Sequence, residues 1–433
     1  MVLRPAQLKH NPQPSLHFSC LLLQFLSSST TPVFFYNARV KSWDIVIVGG
    51  GIIGLSLSIA LRKRGATVLI VERGEPGREA SHAAGGMLVD CPLETQAALQ
   101  PLASASARMY PEFAYELEVE SGMKVDLRDQ GAIVFPSKEH FPLPVRDPEF
   151  RAAALSFADL ERLEPALRRI ASDDAQEREL ARAELGPEMS LQEIGDFFKS
   201  IYRPAFYVKE RSVDPRALTT AAWATAKRRG VDFSSGNEVT SVTIVEGRAT
   251  GVATTKTVLH AAKVVNCAGA WSGQIEPHAF PTRPVKGQML CLAAPSRELL
   301  KHVIRSPEVY LIPRSDGRIL AGATVEEAGF DKRTDAATMQ RFHRAAIALV
   351  PELRDAKILE DWAGLRPGTP DALPILGATT TPDYYVATGH FRDGILLAPI
   401  TARVMADVIS GVEPTHDLMP FSPSRFEAGT AHS

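Results

Sequence analysis

The sequence predicts an α/β protein that combines a parallel, Rossmann-like β/α sheet with a second, mostly antiparallel sheet. Three observations predict it. A strand, a glycine turn, a helix and a second strand follow one another between residues 43 and 72. Far downstream, "AAKVVNCAGAWSG" reads as a strand running into a glycine-rich turn, the pattern of a sheet closing over a nucleotide. "QGAIVF" (130–135), "GQMLCLAA" and "VYLIPRSDGRILAGAT" read as strands outside that unit, the last a hairpin across Ser-Asp-Gly, and they call for a second sheet.

The first unit is the most informative. "WDIVIV" (43–48) is an apolar, β-branched run of the kind that forms a buried strand. "GGGIIG" follows, with Gly49, Gly51 and Gly54 in GxGxxG register, and the helix "IIGLSLSIALRKRG" stops at Gly65. The strand "TVLIVE" ends at Glu72, about 20 residues on, where a carboxylate can accept from ribose hydroxyls. The first glycine allows the tight turn, the second lets the backbone approach a pyrophosphate, and the third lets helix and strand pack closely. Strand, glycines, helix, strand and acid together predict dinucleotide binding. FAD is favoured over NAD because no second GxGxxG provides for a nicotinamide. A small-residue segment, "EASHAAGGML" (79–88), also follows soon after, suited to a flat ring although it fits a plain loop as well.

Composition excludes several classes. The chain has 433 residues, 45% hydrophobic and 23% charged, with a net charge of −2, so nothing points to nucleic acid or an acidic membrane surface. No run of about 18 apolar residues reads as a membrane span. Cys20, Cys91, Cys267 and Cys291 show no metal spacing and predict idle thiols in a reducing, cytoplasmic setting. Residues 1–42 are acid-poor up to Asp44 and carry the apolar patch "FSCLLLQFL". They read as a start placed too far upstream or as a targeting leader. No metal site is expected, and the oligomeric state stays open, a homo-oligomer included.

Further elements complete the pattern. "LTTAAWATAKRRG" (218–230) predicts a helix ending at Gly230, and "VTSVTIVEG" and "TGVATT" predict strands. Residues 158–200, rich in Glu, Arg and Ala, predict an exposed helical region. "DYYVATGHFRDGILLAPITARVMADVISG" (383–411) predicts a strand, a turn and a helix whose positive N-terminal end leaves the sheet edge. "WAGLRPGTPDALPILG" (362–377) places one arginine, Arg366, in an apolar run, where its charge needs a partner.

Together, "IVGGGIIG", "ASHAAGGML", "RPVKGQML", "YLIPRSDGRILAGAT", "WAGLRPGTPDALPILG" and "GHFRDGILLAP" resemble the D-amino-acid-oxidase-type FAD oxidoreductases, and within them the glycine oxidase branch of thiamine biosynthesis. The resemblance covers residues 43 to about 425. It implies an FAD-binding domain (43–127, 208–276 and 361–433) interleaved with a substrate domain (128–207 and 277–360). It assigns Ile52, Ile53, Glu72 and Arg73 to the adenosine diphosphate part and Ala80, Ser81, Gly85, Gly86 and Met87 to the loop along the flavin. Val239 falls at the adenine side. His390, Phe391, Arg392, Asp393, Gly394, Ile395 and Leu396 form the turn and helix start at the isoalloxazine. Arg366 matches the arginine that pairs with the substrate carboxylate, with Tyr310 and Arg392 as further catalytic and pocket residues. Glu308 and Val325 depart from the family pattern and bear on side-chain preference. His82, in "SHAAGG", is a minor candidate for a covalent flavin link and more simply a packing histidine.

The reaction so implied is oxidation of glycine, sarcosine or a small D-amino acid by hydride transfer to flavin N5, with O2 reduced to H2O2. A bidentate arginine fixes the carboxylate and orientation is the main catalytic contribution. A D-amino acid dehydrogenase passing electrons to a quinone, and a flavin-binding subunit without turnover, are the alternatives.

Overall fold

The computed structural model describes residues 41–91, 95–135, 152–167 and 205–429. The leader, and the part of the 158–200 helical region beyond residue 167, lie outside the described residues; within them only the helix Phe157–Leu163 is seen, started by a Ser156–Asp159 capping box.

One eight-stranded sheet is built around Ser42–Val48. Val258–Asn266 flanks it on one side and Val68–Glu72 on the other, with Tyr384–Thr388 and Asp232–Ser235 outside them, all parallel. Ile375–Ala378 adds an antiparallel edge, and the Val239–Val245/Arg248–Thr254 hairpin joins through Val258–Asn266. Successive side chains of a strand point to opposite faces. Ile45 and Ile47 therefore enter a core with the helices Ile52–Lys63, Gln100–Ser121, Pro215–Arg228 and Gly394–Ile409. Val46 and Val48 enter a second core against the hairpin.

The helix expected from 218 begins at Pro215. Asp214 accepts from the Arg216 and Ala217 amides, and proline suits the first helical position because its missing N–H would have no partner there.

The second eight-stranded sheet runs Ile358–Gly368, Arg283–Ala293, Arg318–Gly322, Tyr310–Pro313, Val303–Arg305, Ala132–Val134, Ala205–Val208, Ala152–Leu155. It is antiparallel except where Val303–Arg305 meets Ala132–Val134. Helix Ala336–Leu349 covers its core. The strand Ile358–Gly368 pairs with Arg283–Ala293 along its length, so the division expected at residue 361 falls inside a strand of this sheet. Among the described residues no helix is long and apolar enough to cross a membrane.

Candidate active site

At the end of the first strand the chain turns through Gly49, whose φ of +106° only glycine holds without strain. A side chain at Gly54 would run into the Gly49 carbonyl, so the third glycine of the motif is a packing glycine and does not line the cavity beyond it. Both oxygens of Glu72 hold turns, accepting from the Gly50 amide at 2.8 Å and the Gly74 amide at 2.9 Å. Ser81 Oγ accepts from the Ile52 amide at 2.9 Å, at the positive end of the helix.

A cavity of about 490 Å³ opens from this turn. Gly49, Gly51, Ile52, Ile53, Glu72, Arg73, Ala80, Ser81, Gly85, Gly86, Met87 and Val239 line one part. Tyr310, Arg366, His390, Phe391, Arg392, Asp393, Gly394 and Ile395 line the other. Leu396 faces the core instead, because it sits one residue further round the helix and is 1% exposed. Of the two departures, Val325 lines the cavity, whereas Glu308 stands outside it on the turn before Tyr310. His82 is half-buried and also does not line the cavity; burial and then Arg216 push its pKa below the usual value.

The loop at Gly85 and Gly86 is held from behind. The Val213 amide donates to Gly86 O at 2.9 Å, and buried Arg314, on the hairpin of the second sheet, donates to Gly85 O and Val213 O. The Trp362 indole donates to Ala83 O at 3.1 Å.

Arg366 arrives by register. It pairs with Val285, and its Nη1 donates to Thr324 O at 3.0 Å and Lys286 O at 3.3 Å. A side chain at Gly287 would occupy the space of the guanidinium. Among the described residues no carboxylate forms an ion pair with it. Glu326, a carboxylate that bears on its pKa, accepts from Gln288 Nε2 at 2.8 Å and lies 3.9 Å from Lys286 Nζ. Burial pushes the Arg366 pKa below its ordinary value, which still leaves an arginine charged at neutral pH. Tyr310 sits beside it, with its hydroxyl 3.2 Å from Met289 Sδ. Burial raises the Tyr310 pKa while Arg366 and Arg392 oppose the rise, so the phenol keeps its proton.

The turn after Tyr384–Thr388 is fixed by Phe391, whose amide donates to Pro367 O at 3.0 Å from a left-handed φ of +46°. His390 is buried with Nε2 3.1 Å from Thr401 Oγ1, and burial pushes its pKa down to about 3, so it is neutral. No side chain caps the helix Gly394–Ile409.

Three residues escape the sequence reading. Gly287 could have been found as a glycine inside the apolar strand "RPVKGQML", a sign of close approach. Trp271 follows the glycine turn of "CAGAWSG"; it lines the cavity and carries the Arg73 guanidinium 3.6 Å from its ring centroid. Met289 gave no signal.

Residues 44–408 match the family described as FAD dependent oxidoreductase (DAO). The chain belongs to this family. The FAD dependent oxidoreductase is 31% identical to the glycine oxidase of Pseudomonas putida over 88% of its own length and 98% of the relative's. It is 34% identical to the bifunctional protein ThiO/ThiG of Trichormus variabilis over 89% of its own length, but spans only 55% of that relative. The crystal structure of glycine oxidase from Geobacillus kaustophilus superposes with a TM-score of 0.75 at 28% identity, covering 90% of this chain and 99% of that one.

The lining fits FAD. A glycine turn and helix start suit the pyrophosphate, a small-residue loop suits a flat ring, and the cavity falls within the roughly 300–1,000 Å³ of ligand pockets. Among the described residues no group of His, Cys, Asp and Glu is placed to hold a metal.

Proposed function

We propose that the protein oxidises glycine or a comparably small amine, such as sarcosine or a small D-amino acid, to an imine, with O2 as the electron acceptor. The observation that carries the reading is Arg366: a half-buried guanidinium in the cavity with backbone carbonyls and a tyrosine around it and, among the described residues, no acid paired to it. Such a charge suits a carboxylate that arrives from outside, and its planar fork binds that carboxylate through two parallel bonds.

In this reading Arg366 fixes the substrate carboxylate and the Tyr310 hydroxyl donates to it. Tyr310 keeps its proton, so it acts as a donor and not as a base. Two guanidiniums, Arg366 and Arg392, lower the pKa of an ammonium held between them, which favours the neutral amine needed for the reaction. Held at one end, the small substrate keeps few orientations for its Cα–H, and that restriction is the main contribution to the rate. A bound flavin would supply the acceptor for the hydride from Cα, with the nitrogen lone pair closing an imine that water would hydrolyse to release ammonia or methylamine.

The division into an FAD-binding and a substrate domain follows the two sheets, and we place the last boundary after Gly368 instead of at residue 361. His82, outside the cavity lining, supports a non-covalent flavin. The likeness to the ThiO/ThiG proteins supports a role in thiamine biosynthesis.

Anaerobic mixing of the FAD-loaded protein with glycine, sarcosine, D-alanine and D-proline tests the reading. Bleaching of the flavin by glycine or sarcosine, with peroxide formed on re-aeration, is the expected result. Dye reduction by D-alanine without peroxide would favour a quinone-linked dehydrogenase, and no bleaching by any of them would remove the amine assignment.

A further inference from the structure

The helix Gly394–Ile409 carries Pro399 inside it. Proline has no N–H, so the carbonyl of Ile395, four residues back, loses its helical partner, and the ring pushes that carbonyl outward. Ile395 is 5% exposed, which leaves little access for water. The hydroxyl of Tyr110 takes the place instead and donates to Ile395 O at 2.6 Å. Tyr110 is fully buried, on the neighbouring helix Gln100–Ser121. Ser106, one turn earlier on the same helix face, donates to Leu396 O at 2.6 Å and accepts from the Ile400 amide at 3.4 Å. Two buried hydroxyls thus replace or bridge ladder bonds in the very turn that ends in the cavity, where Gly394 and Ile395 form part of the wall.

Buried hydroxyls need partners, so satisfaction of a kinked helix explains the bonds themselves. The peptide plane gives them a further consequence. Ile395 C=O and Leu396 N–H belong to one rigid amide, and Leu396 C=O and Leu397 N–H to the next. The Leu396 N–H, in the first turn, points back towards the start of the helix, which abuts the cavity, while the Leu397 N–H donates to Asp393 O at 2.8 Å and closes that turn. A donor on the carbonyl fixes the tilt of its amide and polarises it, making the N–H at the other end more positive. Burial raises the Tyr110 pKa, so its hydroxyl stays a donor at every working pH.

We propose that Tyr110 and Ser106 are positioning residues for the flavin. By pinning the 395–396 and 396–397 amides they set the aim and strength of the positive helix end, and so raise the reduction potential of the bound flavin. The proposal rests on the reading that the flavin lies at this helix start.

The experiment uses the FAD-loaded protein. In Tyr110→Phe the flavin midpoint potential becomes more negative and the Kd for sulfite, which adds to electron-poor flavins, rises about two- to tenfold, as expected for one lost hydrogen bond. The kcat falls in step while KM holds, because Arg366 is untouched. Ser106→Ala moves both readouts the same way. Adding Pro399→Ala to Tyr110→Phe gives Ile395 O a helical N–H again and restores potential and sulfite affinity towards wild type. A Tyr110→Phe protein that melts earlier with unchanged potential and sulfite Kd would overturn the proposal, and so would failure of Pro399→Ala to rescue. Wild-type protein that holds FAD yet forms no sulfite adduct would instead remove the flavin placement, and the proposal with it.

Discussion

The two ends of the cavity are made of different material. At the glycine end the wall is mostly backbone: a turn at Gly49, a helix start at Ile52, and a loop at Gly85 and Gly86 held by carbonyl and amide bonds. At the arginine end the wall is side chains from separate strands. Arg366 comes from Ile358–Gly368, Tyr310 from the strand that starts there, and Gly287 clears the space from Arg283–Ala293. A backbone wall tolerates exchange of side chains but not of glycines. A side-chain wall depends on a few atoms placed by register, and single substitutions should separate its parts.

The sharpest way to break the arginine end is Arg366→Ala. We expect kcat/KM for glycine to fall on the order of 10²–10³-fold, the range for truncating one partner of a buried charge pair, with FAD still bound. Steady-state kinetics and the flavin spectrum read both, and unchanged turnover would sink the assigned role. Gly287→Ala probes the same contact indirectly. The new methyl meets the far end of a flexible side chain, so the guanidinium moves while the sheet stays. KM should rise about tenfold with melting temperature nearly unchanged, in keeping with a displaced but surviving pair. A large loss of stability with KM unaltered would contradict it.

His390 sharpens the comparison from the turn at the cavity wall. Its folded pKa of about 3 lies below the unfolded value near 6.5, so the unfolded chain takes up the proton first. The contribution to stability is complete above about pH 6.5 and is lost as pH falls towards 3. Melts of wild type and His390→Gln between pH 7 and 4 should show the steeper acid loss in wild type; parallel curves would argue against a neutral buried imidazole. The smallest effect is expected at Glu308. It lies outside the cavity lining, so Glu308→Gln should leave kcat/KM for glycine within about twofold, the scale of most surface changes. A tenfold change would return Glu308 to the site.

The same contrast explains what is legible in the sequence. The glycine turn is local: strand, GxGxxG, helix and acid lie within 30 residues, and each glycine has its own steric reason. The hairpin of Tyr310–Pro313 and Arg318–Gly322 is local too, announced by Ser-Asp-Gly. Which strand lies beside which is not local. Nothing in "WAGLRPG" says that it pairs with "RPVKGQM" some 80 residues earlier, so a boundary at 361 cuts a strand and Gly287 passes unnoticed. Glu308 shows the limit of reading pockets by nearness in sequence. Two residues from Tyr310, it belongs to the preceding turn and not to the strand that carries the tyrosine to the cavity. The Leu396 side chain shows a related limit, since one step along a helix rotates a side chain by about 100° and takes it from the cavity wall to the core.

Arg366 sits in an eleven-residue strand held by its ladder to Arg283–Ala293. Val325 shares the cavity but stands in the irregular segment after the strand Arg318–Gly322, and it is 64% exposed. In the proposed reading, holding the carboxylate and admitting the rest of the amine fall to separate parts. Changes in the segment around residue 325 should then alter which amines are accepted while leaving the Arg366 contact in place.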